Sequence, residues 1–222
     1  MDDERTAVAG RTTVDGRDAD AGAGLPGGLL VRHPEPEDHG RLQVALADWW
    51  GGLGGEAGAL QRQLLVPRLF LQHFAGTSFL VERPDHTLHA FLIGFLSQTD
   101  SRTAYIHFVG VCPDGKRAGV GGFLYRRFFA AARAAGRTRI RCITSPNNLD
   151  SLAYHRRMGF RLEPGDRTDE HGVPVHRDYD GPGLDRVSFV RDLPAGPGDG
   201  PGAGAGPGAG AGPGATPPAA AP

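Results

Sequence analysis

Val109-Gly110-Val111-Cys112-Pro113-Asp114-Gly115-Lys116-Arg117-Ala118-Gly119-Val120-Gly121-Gly122 joins a predicted strand to a predicted helix, and its reading decides the fold. Before it, Thr103 to Val111 carries Ile106, Phe108, Val109 and Val111 among aromatic and β-branched neighbours, which predicts a strand. After it, Leu124, Phe128, Ala131 and Ala135 recur at helical spacing from Gly121 to Ala135, and Gly136 supplies a left-handed stop. Glycines at the start of a helix let a bulky anion approach unpaired amide N–H groups at the positive end of the helix dipole. The layout is a phosphate cradle. A Walker loop would need Lys followed by Ser or Thr after the second glycine, and Lys116 instead precedes the glycines. The dinucleotide fingerprint fails at its third glycine position, which is Leu124.

What remains is a cation, two residues, Gly119, one residue and Gly121. This resembles motif A of the GCN5-related N-acetyltransferases, whose signature is Arg or Gln, two residues, Gly, one residue, Gly or Ala. Lys116 stands where that family usually has Arg or Gln, which keeps the charge and loses the planar fork. A second predicted strand, Arg139 to Thr144, leads to Asn148 and a short helix closed by Gly159 and Phe160. Asn148, Ser151, His155, Gly159 and Phe160 fall at the spacing of the same family's motif B. The resemblance implies an α/β (α+β) fold with a mixed, strongly twisted central sheet flanked by helices.

The rest of the chain bounds the answer. It has 222 residues, with 24 Lys and Arg against 25 Asp and Glu, so one ordinary domain with tails is expected and nucleic acid or an acidic lipid surface is not. No apolar run approaches the roughly 20 residues that span a membrane, and the acidic, Gly-rich start lacks the features of an export signal. Cys112 and Cys142 form no CxxC pair, which fits a reduced cytoplasm. Residues 1–28 have almost no large apolar side chains and 194–222 are nearly all Gly, Ala and Pro, so both are predicted to be disordered tails around a domain over 29–193. Within it the pattern predicts a strand at Leu29 to Arg32 and a helix running to Trp50. A helical stretch follows from Gly58 to Phe74 with a kink at Pro67, then paired strands at Ser78 to Glu82 and His89 to Gln98, and late strands near Phe160 and Arg186 to Val190.

Acyl transfer to an amine needs an amine without its proton, a polarised carbonyl and a proton for the departing thiolate. The resemblance implies acetyl-CoA as co-substrate, lying between the motif A strand and the next strand. The backbone of Val109 and Val111 would pair with the pantetheine arm, and Val109 would also serve as oxyanion donor. The pyrophosphate would lie on Lys116, Arg117, Ala118, Gly119, Val120, Gly121 and Gly122, with Asn148, Ser151 and His155 completing the cofactor set. Motif B usually carries a tyrosine four residues before the Gly-Phe glycine, and that position is His155. The role of thiolate acid falls to His155, unless it only hydrogen-bonds or packs while water donates; Tyr154 reads as a core aromatic. On the motif A strand, the period of two places Tyr105, His107, Val109 and Val111 on one face and Ile106 and Phe108 on the other. Tyr105 stands where the family's protein-lysine members have a base glutamate. The arrangement resembles that of the arylalkylamine acetyltransferases, where imidazoles on the same strand face relay the amine proton through water. This resemblance implies His107 as the candidate base, an imidazole that titrates near neutrality, or else it is an interior hydrogen-bonded side chain. Tyr105 is then an orienting or lining group.

The acceptor cleft is expected from Trp49, Trp50, Phe70 and the region from Asp166 to Asp185, whose carboxylates would draw a cationic amine or simply make a solvated turn. His171, His176, Asp178 and Asp180 match no strong metal spacing, so no metal is expected. The expected activity is N-acetyl transfer to a primary amine of a small molecule by a cytoplasmic protein, with no nucleic-acid or membrane partner and a homodimer left open. The alternatives are a protein N-terminal or lysine acetyltransferase and a non-catalytic acyl-CoA-binding module.

Overall fold

A computed structural model describes residues 24–25, 27–116 and 118–194. Most of both expected tails, and Arg117, lie outside the described residues. A seven-stranded mixed sheet runs in the order β1 (Leu30–Arg32), β2 (Phe79–Glu82), β3 (Leu88–Leu96), β4 (Thr103–Val111), β5 (Arg139–Thr144), β9 (Val187–Asp192) and β6 (Arg161–Leu162). Only β4 and β5 are parallel; the other neighbours are antiparallel. A separate ribbon, β7 (Arg167–Thr168) with β8 (Pro174–Val175), stands in the region that the sequence leaves without regular pattern.

Both faces of the sheet are buried. Leu80, Phe91 and Ile93 meet Leu42 and Leu46 of α1 (His39–Asp48) and Leu71 of α3 (Leu69–His73). The alternate residues Phe79, Val81, Ala90 and Leu92 meet Leu124 and Phe128 of α4 (Val120–Ala134) and, with them, Leu152 of α5 (Leu149–Arg157). This alternation is what a strand with two covered faces requires. Between α1 and α3 lies α2 (Gly55–Leu64), which has no buried residue. The stretch expected as one kinked helix is thus two, because Pro67 removes an N–H donor and its ring clashes with the preceding turn.

One irregularity changes the expected faces of β4. Ile93 lies opposite Phe108 and Gly94 opposite Ile106, so His107 is an extra residue bulged out of the ladder. A bulge shifts the phase of the strand by one. Ile106, Val109 and Val111 consequently pack toward α4, whereas Phe108 packs toward α1 and α3. Tyr105 stacks on Phe95, and His107 stacks on Phe70 of α3 at 4.4 Å between ring centroids. The single face expected for Tyr105, His107, Val109 and Val111 is therefore split in two.

Candidate active site

The parallel pair β4 and β5 is joined only at Thr103–Arg139, Ala104–Ile140 and Tyr105–Arg141. Beyond that the two strands diverge, although β5 stays paired to β9 along its whole length. Among the described residues, the β5-facing edge of β4 from Ile106 to Val111 has no strand beside it, and it opens onto a cleft of about 2200 Å³. Unpaired strand edges offer backbone donors and acceptors to an extended ligand.

At one end of this crevice stands the N-terminus of α4. Gly119 caps it with φ +81°, a left-handed conformation that glycine adopts without steric penalty, and a Cβ there would point into open space. The first helical bond runs from the Phe123 N–H to the Gly119 carbonyl, so the amides of Val120, Gly121 and Gly122 have no helical acceptor. A Cβ on Gly121 would come within 2.7 Å of the Tyr154 hydroxyl, and one on Gly122 within 3.2 Å of Arg126. Lys116 and Ala118 are exposed beside this turn. The cradle has room for an anion and backbone groups to hold it.

The residues singled out in the second motif have separate tasks. Asn148 caps α5 by accepting the Ser151 N–H at 3.1 Å. His155 is buried and engaged at both ring nitrogens. Its Nδ1 donates to the Ser151 carbonyl at 2.8 Å, with the Ser151 hydroxyl at 3.2 Å, and Nε2 accepts from the Tyr125 hydroxyl at 3.0 Å. The ring stacks on Phe189 at 4.7 Å, and burial pushes its pKa below the ordinary value despite the Ser151 bond. Tyr154 is different: its hydroxyl is buried and has no hydrogen-bond partner among the described residues. Burial raises its pKa, only partly opposed by Arg157 and Arg126, so the phenol keeps its proton at neutral pH. Tyr154 is half-buried against the core, and its hydroxyl points at the glycine cradle. Tyr125 went unnoticed in the sequence because it reads as one more core aromatic of α4.

On the other side of the bulge, His107 Nε2 lies 2.5 Å from the Leu65 carbonyl. A carbonyl only accepts, so Nε2 carries the proton and Nδ1 the lone pair. Among the described residues Nδ1 has no hydrogen-bond partner. Burial lowers the pKa of His107, opposed by the Leu65 bond and the charge of Asp180. At neutral pH the ring is therefore uncharged, with a fixed tautomer. Tyr105 lies beside it with its pKa raised, chiefly by burial and then by Tyr179.

The carboxylates expected to draw a cation are largely occupied in holding their own loop. Asp166 accepts the Arg177 N–H, Asp169 those of His171 and Val173, and Asp178 that of Gly183. Asp185 pairs with Arg167 and Asp180 with Arg186. Among the described residues no three His, Cys, Asp or Glu side chains converge as metal ligands, and no helix is long and apolar enough to cross a membrane.

Residues 45–160 match the model of the acetyltransferase (GNAT) family. Among solved structures, Ard1 from Thermoplasma volcanium is similar with a TM-score of 0.57 and 14% identity, over 75% of this chain and 98% of that one. Naa20 from Chaetomium thermophilum, in complex with a bisubstrate analogue, gives 0.55 and 19% over 74% and 86%. The diaminobutyrate acetyltransferase EctA from Paenibacillus lautus, solved with L-2,4-diaminobutyric acid and coenzyme A, gives 0.52 and 20% over 73% and 93%. No curated protein matches the sequence. With its divergent parallel strands, its glycine-capped helix and a family match across more than half its length, the chain belongs to the GNAT acetyltransferase family.

Proposed function

We propose that this protein moves an acetyl group from acetyl-CoA directly to the primary amine of a small molecule bound in the same cleft. The observation that carries the reading is the unpaired edge of β4 running from His107 to the cradle at Gly119. When bound, acetyl-CoA supplies a thioester activated for acyl transfer. The edge from Ile106 to Val111 binds its extended arm as an added strand, with the Val109 amide as oxyanion donor, and the amides of 120–122 hold the phosphates beside Lys116. The neighbour solved with coenzyme A supports that co-substrate.

His107 Nδ1 takes the amine proton, directly or through water, because Nε2 is committed to Leu65. Tyr154 holds a proton without an acceptor and is the proposed donor to the leaving thiolate. His155, first in line for that role from the sequence, has no uncommitted proton and acts by holding Tyr125. The first test is calorimetric titration with acetyl-CoA beside a Gly119→Glu, Gly121→Glu variant. Binding by the wild type alone, followed by thiol release with an amine panel, supports the reading. Absence of binding to either protein rejects it, and binding without release under any amine points instead to an acyl-CoA-binding module.

A further inference from the structure

The wall of the cleft beside His107 carries apolar surface with no internal use. Leu53 is 65% exposed and Leu64 71% exposed, and Leu65 is 36% exposed. These three border the cleft together with Trp49, Trp50 and Phe108. Isolated exposed leucines are ordinary, but a contiguous apolar wall at a cleft marks something that covers it. This wall is joined to the base, since the Leu65 carbonyl holds His107.

Several of the charges nearby are already committed, although the Glu170 side chain at the far side of the cleft is 87% exposed with only His171 near it among the described residues. Arg62, the cation of this wall, donates to the Leu46 carbonyl at 3.0 Å and the Leu53 carbonyl at 2.8 Å, and lies over the Trp50 ring. Its remaining nitrogen, Nη2, is buried and has no hydrogen-bond partner among the described residues, so no exposed fork faces an acceptor's carboxylate. Across the cleft, Asp180 is paired with Arg186 and Asp185 with Arg167, so a second ammonium would find no free carboxylate in that pair. An apolar skeleton fits this environment better than a polyamine or an amino acid.

We infer that the acceptor is a monoamine whose hydrocarbon body lies on Leu53, Leu64, Leu65 and Trp50 and whose nitrogen faces His107. The inference rests on the acetyl-transfer reading of the same cleft and names its substrate class. The chain contains two tryptophans, Trp49 and Trp50, and both stand in this wall, so their emission reports occupancy without turnover.

The full chain is titrated with n-hexylamine, spermidine and L-2,4-diaminobutyric acid, following tryptophan emission in the presence of coenzyme A and thiol release with acetyl-CoA. The same titrations are run on Leu53→Gln/Leu64→Gln and on Leu60→Gln, an exposed leucine of α2 away from the cleft. Hexylamine is expected to saturate the emission change at least tenfold more tightly than spermidine or diaminobutyric acid. The double variant weakens it by roughly tenfold, and Leu60→Gln leaves it unchanged. Tighter spermidine or diaminobutyric acid, no emission change with hexylamine, or equal hexylamine affinity in the double variant overturns the inference. Saturable hexylamine binding without thiol release would sink the transferase reading and leave the apolar wall standing, whereas thiol release with spermidine alone would do the reverse.

Discussion

His107 shows how one side chain is prepared for proton transfer. Its Nε2 is held by a backbone carbonyl from another element, its ring is stacked on Phe70, and burial keeps it neutral. Because its pKa is lowered, the basic form already predominates at the ordinary imidazole value near 6.5. The acid limb of kcat/KM is therefore expected below that value, and His107→Gln should remove the limb while lowering kcat by about 10²-fold. Rate profiles against pH, with coenzyme A affinity measured alongside, check this. At the other reaction step, Tyr154→Phe is expected to lower kcat by about 10²-fold with coenzyme A affinity within threefold. His155→Gln should instead act through stability, because it disturbs Tyr125 and the stack on Phe189. A larger loss of kcat in a well-folded His155→Gln protein would transfer the donor role to the Tyr125–His155 pair.

At the scale of elements, the deciding feature is the bulge of β4 and its partner across the ladder. Gly94 lies opposite Ile106, and a Cβ there would come within 2.4 Å of the Phe128 ring and 3.0 Å of the Tyr105 carbonyl. Glycine lets α4 pack directly on β3 at the level where β4 changes phase. Gly94→Ala should therefore push helix and strand apart, destabilising the fold by roughly 1–3 kcal/mol through overpacking. Gly40→Ala, in α1 with open space around it, should be neutral or stabilising. Urea unfolding midpoints compare the two. The spacing of apolar residues made β4, α4 and β5 legible, the two strands with the bounds expected and the helix offset by one residue. The bulge was not legible, because an inserted residue in a strand leaves the local composition unchanged and shows only in the register with a partner.

Across the whole molecule, a four-residue ion cluster ties the first strand to the sheet and to α1. Arg32 donates to Asp38 at 2.6 Å and Glu82 at 2.8 Å, and Arg41 to the same two at 2.9 and 2.7 Å. Burial alone would raise the pKa of both carboxyls, but the hydrogen bonds from Arg32, with Arg41 for Glu82 and the Glu35 amide for Asp38, outweigh it and the net shift is downward. As pH falls, the unfolded chain takes up protons before the folded one. The stabilisation is thus full above the ordinary carboxylate range and is lost below about pH 4. Glu82→Gln should cost roughly 1–3 kcal/mol at neutral pH, reduced from the buried-pair figure because the arginines are a third exposed, and should flatten the acid loss. Thermal melts between neutral and acid pH measure both effects.

The local chemistry of the chain determined which elements form, because apolar period, glycine caps and proline breaks act over a few residues. It also determined the phosphate cradle, whose glycines, cation and helix start are contiguous from Lys116 to Gly122. Residue type together with position on the motif A strand was enough to name His107 as a candidate base. Tertiary structure decided the rest. The carbonyl of Leu65 that sets the tautomer of His107 is 42 positions away, and the Tyr125 hydroxyl that occupies His155 is 30 positions away. The aspartates of the late loop look like a cation trap in sequence and are spent on backbone amides and arginines in the fold, which leaves Glu170 as the exposed exception. Sequence shows which groups a chain carries; which lone pairs and protons remain uncommitted depends on partners that only packing brings within about 3 Å.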